Sequence, residues 1–261
     1  MAKNGLISPN ALDGKVILVT GGGRGLGKIM ATMLAGYGAT LVLAGRTAGD
    51  IEQTASEIEA AGGAAMAVPT DVTNAAELSK LADRILAAYG KVDVLVNNAG
   101  MNARNVNHKF EDIPEAEWNQ MIQANLTSVF LTTQVIGKMM LDQGAGKIIN
   151  IGSFFAMRGV PERICYGVTK AGIVNLTKAL AAEWADRGVT VNCFCPGSID
   201  LFPERTDEAY LAEMKIRTSG IPLARLGRME ELGPILAYLA SDASDYMTGE
   251  TITLDGGWLA Q

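Results

Sequence analysis

Histidine occurs once in these 261 residues, at position 108, and cysteine only three times, at 165, 193 and 195. One imidazole and three thiols do not make a metal-ligand pattern, and so few cysteines exclude a disulfide framework. Cys193 and Cys195 stand two apart in an apolar run, so both thiols fall on one face of a strand and read as buried and reduced. No metal is expected. Basic clusters are also missing: 22 Lys and Arg are scattered among 28 Asp and Glu, for a net charge of −6. That balance offers no electrostatic footprint for nucleic acid or an anionic membrane, and neither is expected as a partner. No window reaches the length of a membrane span, and the first dozen residues lack the apolar core of a secretory signal, so a cytoplasmic protein is expected.

What is present is an alternation of apolar, β-rich runs with segments of helical period, almost from end to end. It predicts a single doubly wound α/β domain of Rossmann type, a seven-stranded parallel sheet flanked by helices on both faces. Strands are expected at 16–19, 40–44, 64–68, 92–96, 147–151, 189–194 and 251–254. Helices are expected near 26–37, 49–61, 75–89, 115–142, 164–187, 207–218 and 229–240. Most strands are continuous apolar runs, as burial on both faces requires. Only 198–222 breaks the rhythm, and its length between a strand and the next helix suggests a lid over a substrate.

The first expected strand runs into Thr20-Gly21-Gly22-Gly23-Arg24-Gly25-Leu26-Gly27, which opens a helix. Gly21 permits the tight turn, and Gly25 and Gly27 let backbone and helix approach a pyrophosphate. Gly23, Arg24 and Leu26 lie in the same turn, and the helix N-terminus offers free amides and a positive dipole end. A phosphate loop of the nucleotide-hydrolase kind would need a hydroxyl at 29, where Ile stands. The second strand ends at Gly45-Arg46, with glycine where an acid would otherwise receive ribose hydroxyls. Arg24 and Arg46 are suited to clamp a 2′-phosphate, so NADP(H) is expected over NAD(H).

Tyr166 and Lys170 are four apart in a helical pattern and share a face. A phenol is a poor proton donor or acceptor near neutral pH, and a cation held beside it stabilises the phenolate. Ser153, just past the fifth strand, can hydrogen-bond a substrate oxygen on which charge develops.

With these landmarks the chain resembles the short-chain dehydrogenases/reductases over nearly its whole length. The matching residues are the Thr20 to Gly27 turn, Asp71-Val72, Asn97-Asn98-Ala99-Gly100, Asn125, Ser153, Tyr166-x3-Lys170 and Val191-Asn192 leading into Pro196-Gly197. The resemblance implies that Tyr166 is the general acid/base and that Ser153 orients the carbonyl or alcohol. Lys170 would also bind nicotinamide ribose hydroxyls, and Asn125 would support a proton-relay water. It further implies that Asp71 and Val72 meet the adenine, that Asn98, Ala99 and Gly100 line the adenosine side, and that Pro196, Gly197 and Ile199 border the nicotinamide. A homotetramer built through 115–142 and 164–187 is the corresponding assembly. Leu201 stands where the family often has a Thr on the carboxamide, and Gly227-Arg228-Met229 replaces a Gly-x-Pro turn.

Substrate contacts are expected from the pocket rim: Arg104, Phe154, Arg158 and Phe202, with Asn102, Met157 and Arg163 nearby. The strings Asn102-Ala103-Arg104, Ala179 to Ala185 and Asp255-Gly256-Gly257-Trp258 resemble the gluconate-type sugar-acid dehydrogenases, in which case Arg104 or Arg158 would meet a carboxylate. The 3-oxoacyl carrier-protein reductases share the framework and stay open as an alternative. A third class, a dinucleotide-binding sensor without catalysis, would be marked by damage to the Ser/Tyr/Lys group, and none is present.

Overall fold

The computed structural model describes residues 8–102 and 108–261. Seven strands form one parallel sheet: β1 (Val16–Thr20), β2 (Thr40–Gly45), β3 (Ala64–Pro69), β4 (Val94–Asn97), β5 (Gly146–Ile151), β6 (Val189–Pro196) and β7 (Thr251–Leu254). Their order is β3-β2-β1-β4-β5-β6-β7. The chain winds outward from β1 to β3, then returns to place β4 on the other side of β1. The crossovers therefore diverge between β1 and β4, which opens a crevice at the carboxyl ends of these strands.

Eight α-helices lie among the described residues: α1 (Gly25–Gly36), α2 (Ala48–Ala60), α3 (Ala75–Tyr89), α4 (Glu115–Ile122), α5 (Ser128–Gln143), α6 (Ile164–Trp184), α7 (Glu208–Thr218) and α8 (Gly233–Ala240). Alternation along each strand divides the core in two. Ile17 and Val19 point to the layer of α1, α2 and α8, with Met30, Ile58 and Leu236. Val16 and Leu18 point to the layer of α3, α5 and α6, with Leu81, Ile136 and Trp184. β1 is buried along its whole length, whereas the edge strands β3 and β7 are only partly covered.

Two expected helices are interrupted. The helix over 115–142 loosens into a π-turn at Gln123–Thr127, which separates α4 from α5. The cause is tertiary: the Asn125 side chain there clasps the backbone of Met101, a pull that leaves no periodic mark in the sequence. The helix over 229–240 divides into a 3-10 turn, Met229–Leu232, and α8, because Pro234 in the first turn of α8 brings no donor. No described helix is long and apolar enough to cross a membrane, and no described cluster of His, Cys, Asp and Glu suits a metal. Cys193 and Cys195 are fully buried on the α5 and α6 side, with sulfurs 3.7 Å apart.

Candidate active site

The glycine turn is latched to the end of β4. The Thr20 hydroxyl accepts from the amides of Asn98 and Ala99, both at 3.0 Å, and donates to the Val96 carbonyl. Asn98 Nδ2 donates to the carbonyls of Thr20 and Gly21 at 2.9 and 3.3 Å. These bonds bring Asn98, Ala99 and Gly100 against the Gly21 to Gly27 turn, across the switch point. Gly21 and Gly25 take left-handed φ of +67° and +54°, which an L side chain would strain. A Cβ on Gly27 would overlap the Gly21 carbonyl oxygen, and one on Gly23 would press on Asp50 at 2.8 Å. Gly25 faces open space within 4 Å. A bare backbone cradle at the start of α1 is the shape a pyrophosphate requires, so these residues fit a dinucleotide.

Arg24 is the extended, exposed residue that caps α1, Leu26 follows in its first turn, and Arg46 is exposed past the end of β2. Asp71 lies beyond β3, where its carboxylate accepts from the Thr73 amide and hydroxyl at 2.9 and 2.7 Å. Partial burial raises its proton affinity, but the two Thr73 bonds and the charge of Arg46 outweigh this and hold Asp71 below the usual carboxylate range. Arg46 and Asp71 thus lie near one another beyond the ends of β2 and β3, and Val72 is buried.

Ser153 follows β5 in extended conformation and is nearly buried, its hydroxyl accepting from the Phe155 amide at 3.3 Å. Gly152 before it has no room for a Cβ, because the Cys193 and Cys195 sulfurs pack directly behind. Lys170 is 6% exposed, and its Nζ donates to the Ile151 carbonyl at 2.7 Å while lying 5.6 Å from the Tyr166 ring centroid. No ion pair with a described acid holds this buried ammonium, which lies beside the Tyr166 ring one helical turn away. Phe155 stands edge-on to the Tyr166 ring at 5.9 Å.

Asn125, 1% exposed, joins this group to the β4 turn. Its Oδ1 accepts from Met101 N at 2.6 Å, and its Nδ2 donates to Met101 O at 3.0 Å and reaches Thr169 Oγ1 at 3.5 Å. Thr169 in turn donates to the Tyr166 carbonyl. Below lies a buried chain of side-chain bonds: Asn97 to Thr133 and to Asn150, and Asn150 to Thr177, each at 2.9 Å. It ties the strands that lead into Asn98 and Ser153 to α5 and α6. Asn150 and Thr177 had no signal in the sequence, because a polar residue in an apolar run does not announce its partner.

Pro196 ends β6, Gly197 lies against Asp255, and Ile199 is buried with its carbonyl accepting from Arg217. Leu201 packs into the apolar layer near these residues. Of the expected substrate contacts, Phe154 is nearly buried against Trp258, Arg158 stacks over Trp258, and Phe202 is half-exposed in the 198–222 segment. Arg104 lies outside the described residues.

The 198–222 segment is held internally, and a separate charged cluster follows it. The Tyr210 hydroxyl donates to Asp200, whose carboxylate holds that phenol above its ordinary range. Beyond its far end, Glu231 accepts from Arg225 at 2.7 and 2.8 Å and from the Arg228 amide at 2.8 Å. Arg225 first, then the Arg228 amide, brings the Glu231 carboxyl down to about 2. A depressed carboxyl stabilises the fold above the unfolded value, near ~4.3, and that contribution is lost as the pH falls through the folded value. Glu231→Gln is therefore expected to lower the thermal midpoint at neutral pH, by a gap that closes as the pH falls toward about 2. Thermal melts of both proteins over an acid series check this.

A parallel sheet with a nucleotide cradle at its switch point, and a Ser, Tyr and Lys beside it, defines a nucleotide-binding oxidoreductase. A family model described as enoyl-(acyl carrier protein) reductase matches residues 21–259. The chain is 42% identical over 253 residues to a 3-oxoacyl-(acyl-carrier-protein) reductase of Synechocystis sp., covering 95% of this chain and 98% of that protein. It is 36% identical over 254 residues to a 2-dehydro-3-deoxy-D-gluconate 5-dehydrogenase of Bacillus subtilis, with 96% and 97% covered. A solved gluconate 5-dehydrogenase of Burkholderia cenocepacia, in complex with NADP and tartrate, superposes with a TM-score of 0.87 at 32% identity over 97% of this chain and 98% of that one. The chain belongs to the short-chain dehydrogenase/reductase family. It is an oxidoreductase that interconverts an alcohol and a ketone.

Proposed function

We propose that the protein uses NADP(H) in preference to NAD(H) to interconvert a secondary alcohol and a ketone on a sugar acid or related polyhydroxy compound. The observation that carries the chemistry is the buried Lys170 ammonium beside the Tyr166 ring, with Ser153 close to the same strand end. In oxidation Tyr166 takes the hydroxyl proton, Ser153 donates to the substrate oxygen, and Lys170 stabilises the phenolate that precedes the transfer. The C–H bond would break as the C=O bond forms, and a bound nicotinamide would supply the acceptor for that carbon's hydride. Gly21, Gly23, Gly25, Leu26 and Gly27 would hold the pyrophosphate, Arg24 and Arg46 the 2′-phosphate, and Asp71 and Val72 the adenine. Asn98, Ala99 and Gly100 line the adenosine side, Pro196, Gly197 and Ile199 border the nicotinamide, and Asn125 supports the proton relay. Residues 198–222 act as the lid of one catalytic domain.

The sugar-acid reading is supported by the gluconate relatives and by the placement of Arg158 on the turn that follows Ser153. Arg104 is proposed for the same role from its sequence position. A 3-oxoacyl thioester is the second reading, favoured by the Synechocystis relative and by the exposed Met157 and Phe202 at the rim. Kinetics on a panel of sugar acids, ketoses and short 3-oxoacyl thioesters with both dinucleotides separate them. A kcat/KM at least about tenfold higher for one sugar acid than for any thioester is expected, the margin one charge-assisted bond supplies. The reverse order overturns the substrate class.

We further propose a homotetramer, since the half-exposed Phe130 and Val168 give α5 and α6 an apolar outer face. Buried, unpaired thiols agree with a cytoplasmic protein.

A further inference from the structure

Trp258 joins three segments that lie far apart in the sequence. Its indole meets Phe154 edge-on with centroids 4.6 Å apart and Phe155 at 6.2 Å, and Phe155 in turn meets the Tyr166 ring. A Cβ on Gly220 would lie 3.3 Å from the indole Nε1, so the same side chain also closes on the end of the 198–222 segment. The Arg158 guanidinium lies over the indole ring, 4.8 Å from its centroid. One of its nitrogens donates to the Gln261 carbonyl at 3.3 Å, and no described acid forms an ion pair with it.

An arginine on the surface ordinarily loses rotamer freedom when it binds a ligand, and that entropy opposes binding. Stacking over Trp258 removes much of this cost in advance. One nitrogen is taken by the Gln261 carbonyl, and the remaining N–H donors of a guanidinium keep the planar geometry that matches a carboxylate. Arg158 stands on the turn that follows Ser153, and ring contacts through Trp258 and Phe155 link it to Tyr166. Phe155 and Trp258 are the aromatic groups that connect Arg158 to the Tyr166 ring, and such rings suit the C–H faces of a short carbon chain.

We propose that Trp258 determines substrate specificity: it holds Arg158 as the receptor for a substrate carboxylate and sets the distance from that carboxylate to the carbon that reacts. This rests on the assignment of Ser153, Tyr166 and Lys170 as the reacting centre and of a sugar acid as substrate. Trp258 acts partly through Arg158, and its removal and that of Arg158 are therefore one loss and not two.

The test compares the preferred sugar acid of the panel with the neutral polyol that carries CH2OH in place of its carboxylate. Both are measured at saturating dinucleotide with the wild type, Trp258→Ala, Trp258→Phe, Arg158→Ala and the Trp258→Ala/Arg158→Ala pair. Trp258→Ala should raise KM for the acid and lower the acid-to-polyol ratio of kcat/KM about tenfold. Arg158→Ala should lower the ratio by a similar factor, the pair should lower it no further, and Trp258→Phe should restore most of it. A merely structural role for Trp258 would depress both substrates equally, and that outcome overturns the proposal, as do fully multiplicative losses in the pair. If Trp258→Ala does not fold, Arg158→Ala still decides: an unchanged ratio overturns the proposal. A wild type that turns over none of the sugar acids overturns the substrate reading as well, and is seen before any variant is made. A wild type that does so, with an unchanged ratio in Trp258→Ala, overturns this inference alone.

Discussion

Tyr166→Phe is expected to lose turnover by about 10²–10⁴-fold, the range a positioned proton donor or acceptor contributes, while still binding the dinucleotide. The ring survives the change, and with it the edge-on contact to Phe155 and the place of Lys170 beside the ring face. Only the hydroxyl proposed as the acid/base is removed. Lys170→Ala should differ in kind. The ammonium is the partner of the Ile151 carbonyl as well as the cation beside the phenol, and it is assigned to the nicotinamide ribose, so both turnover and dinucleotide affinity should fall. Steady-state kcat together with fluorescence titration of the dinucleotide separates the two patterns. Near wild-type turnover in Tyr166→Phe would mean that the acid/base lies elsewhere.

Arg46→Asp is expected to reverse the dinucleotide preference. The wild type should favour NADP(H), because Arg46 is exposed at the rim, Gly45 before it carries no acid, and Arg24 caps α1 nearby in sequence to the turn. Removing one charge-assisted partner of a phosphate should cost NADP(H) about 10–100-fold in kcat/KM, and the new carboxylate adds repulsion while offering NAD(H) an acceptor for its ribose hydroxyls. Asp71 makes the local balance sharper. Arg46 is among the groups that hold its carboxyl low, so the variant brings a second negative charge to a rim that already carries one. Comparison of kcat/KM for both dinucleotides in both proteins checks the reversal. A wild type that uses NAD(H) equally well or better would refute the clamp.

The sheet was legible from its strands because burial on both faces requires continuous apolar runs, and these survive as a pattern in one dimension. The observed strands lie within a residue or two of expectation, β7 on the same residues. Glycine spacing was equally readable, since a missing side chain is itself a sequence feature: Gly27 has to be glycine because its Cβ would overlap the Gly21 carbonyl oxygen. The break at Gln123–Thr127 was not readable. It depends on a bond between Asn125 and Met101 that spans 24 residues, and helical periodicity carries no record of a distant partner.

By itself, then, the sequence determined the alternation that makes a doubly wound sheet, the bare turn able to admit a pyrophosphate, and the Ser153, Tyr166 and Lys170 set from which the chemistry is proposed. All of these are encoded in residue type at short spacing, where backbone geometry alone relates neighbours. Only the tertiary structure decided how Thr20 and Asn98 latch the glycine turn to β4, how two buried cysteines back the Ser153 turn, and where Trp258 ends up. Those arrangements join residues up to about a hundred positions apart, as Trp258 and Phe154 are, and they depend on how whole elements pack. Packing in a close-filled interior is set by every neighbour at once, so no local stretch of the chain contains it.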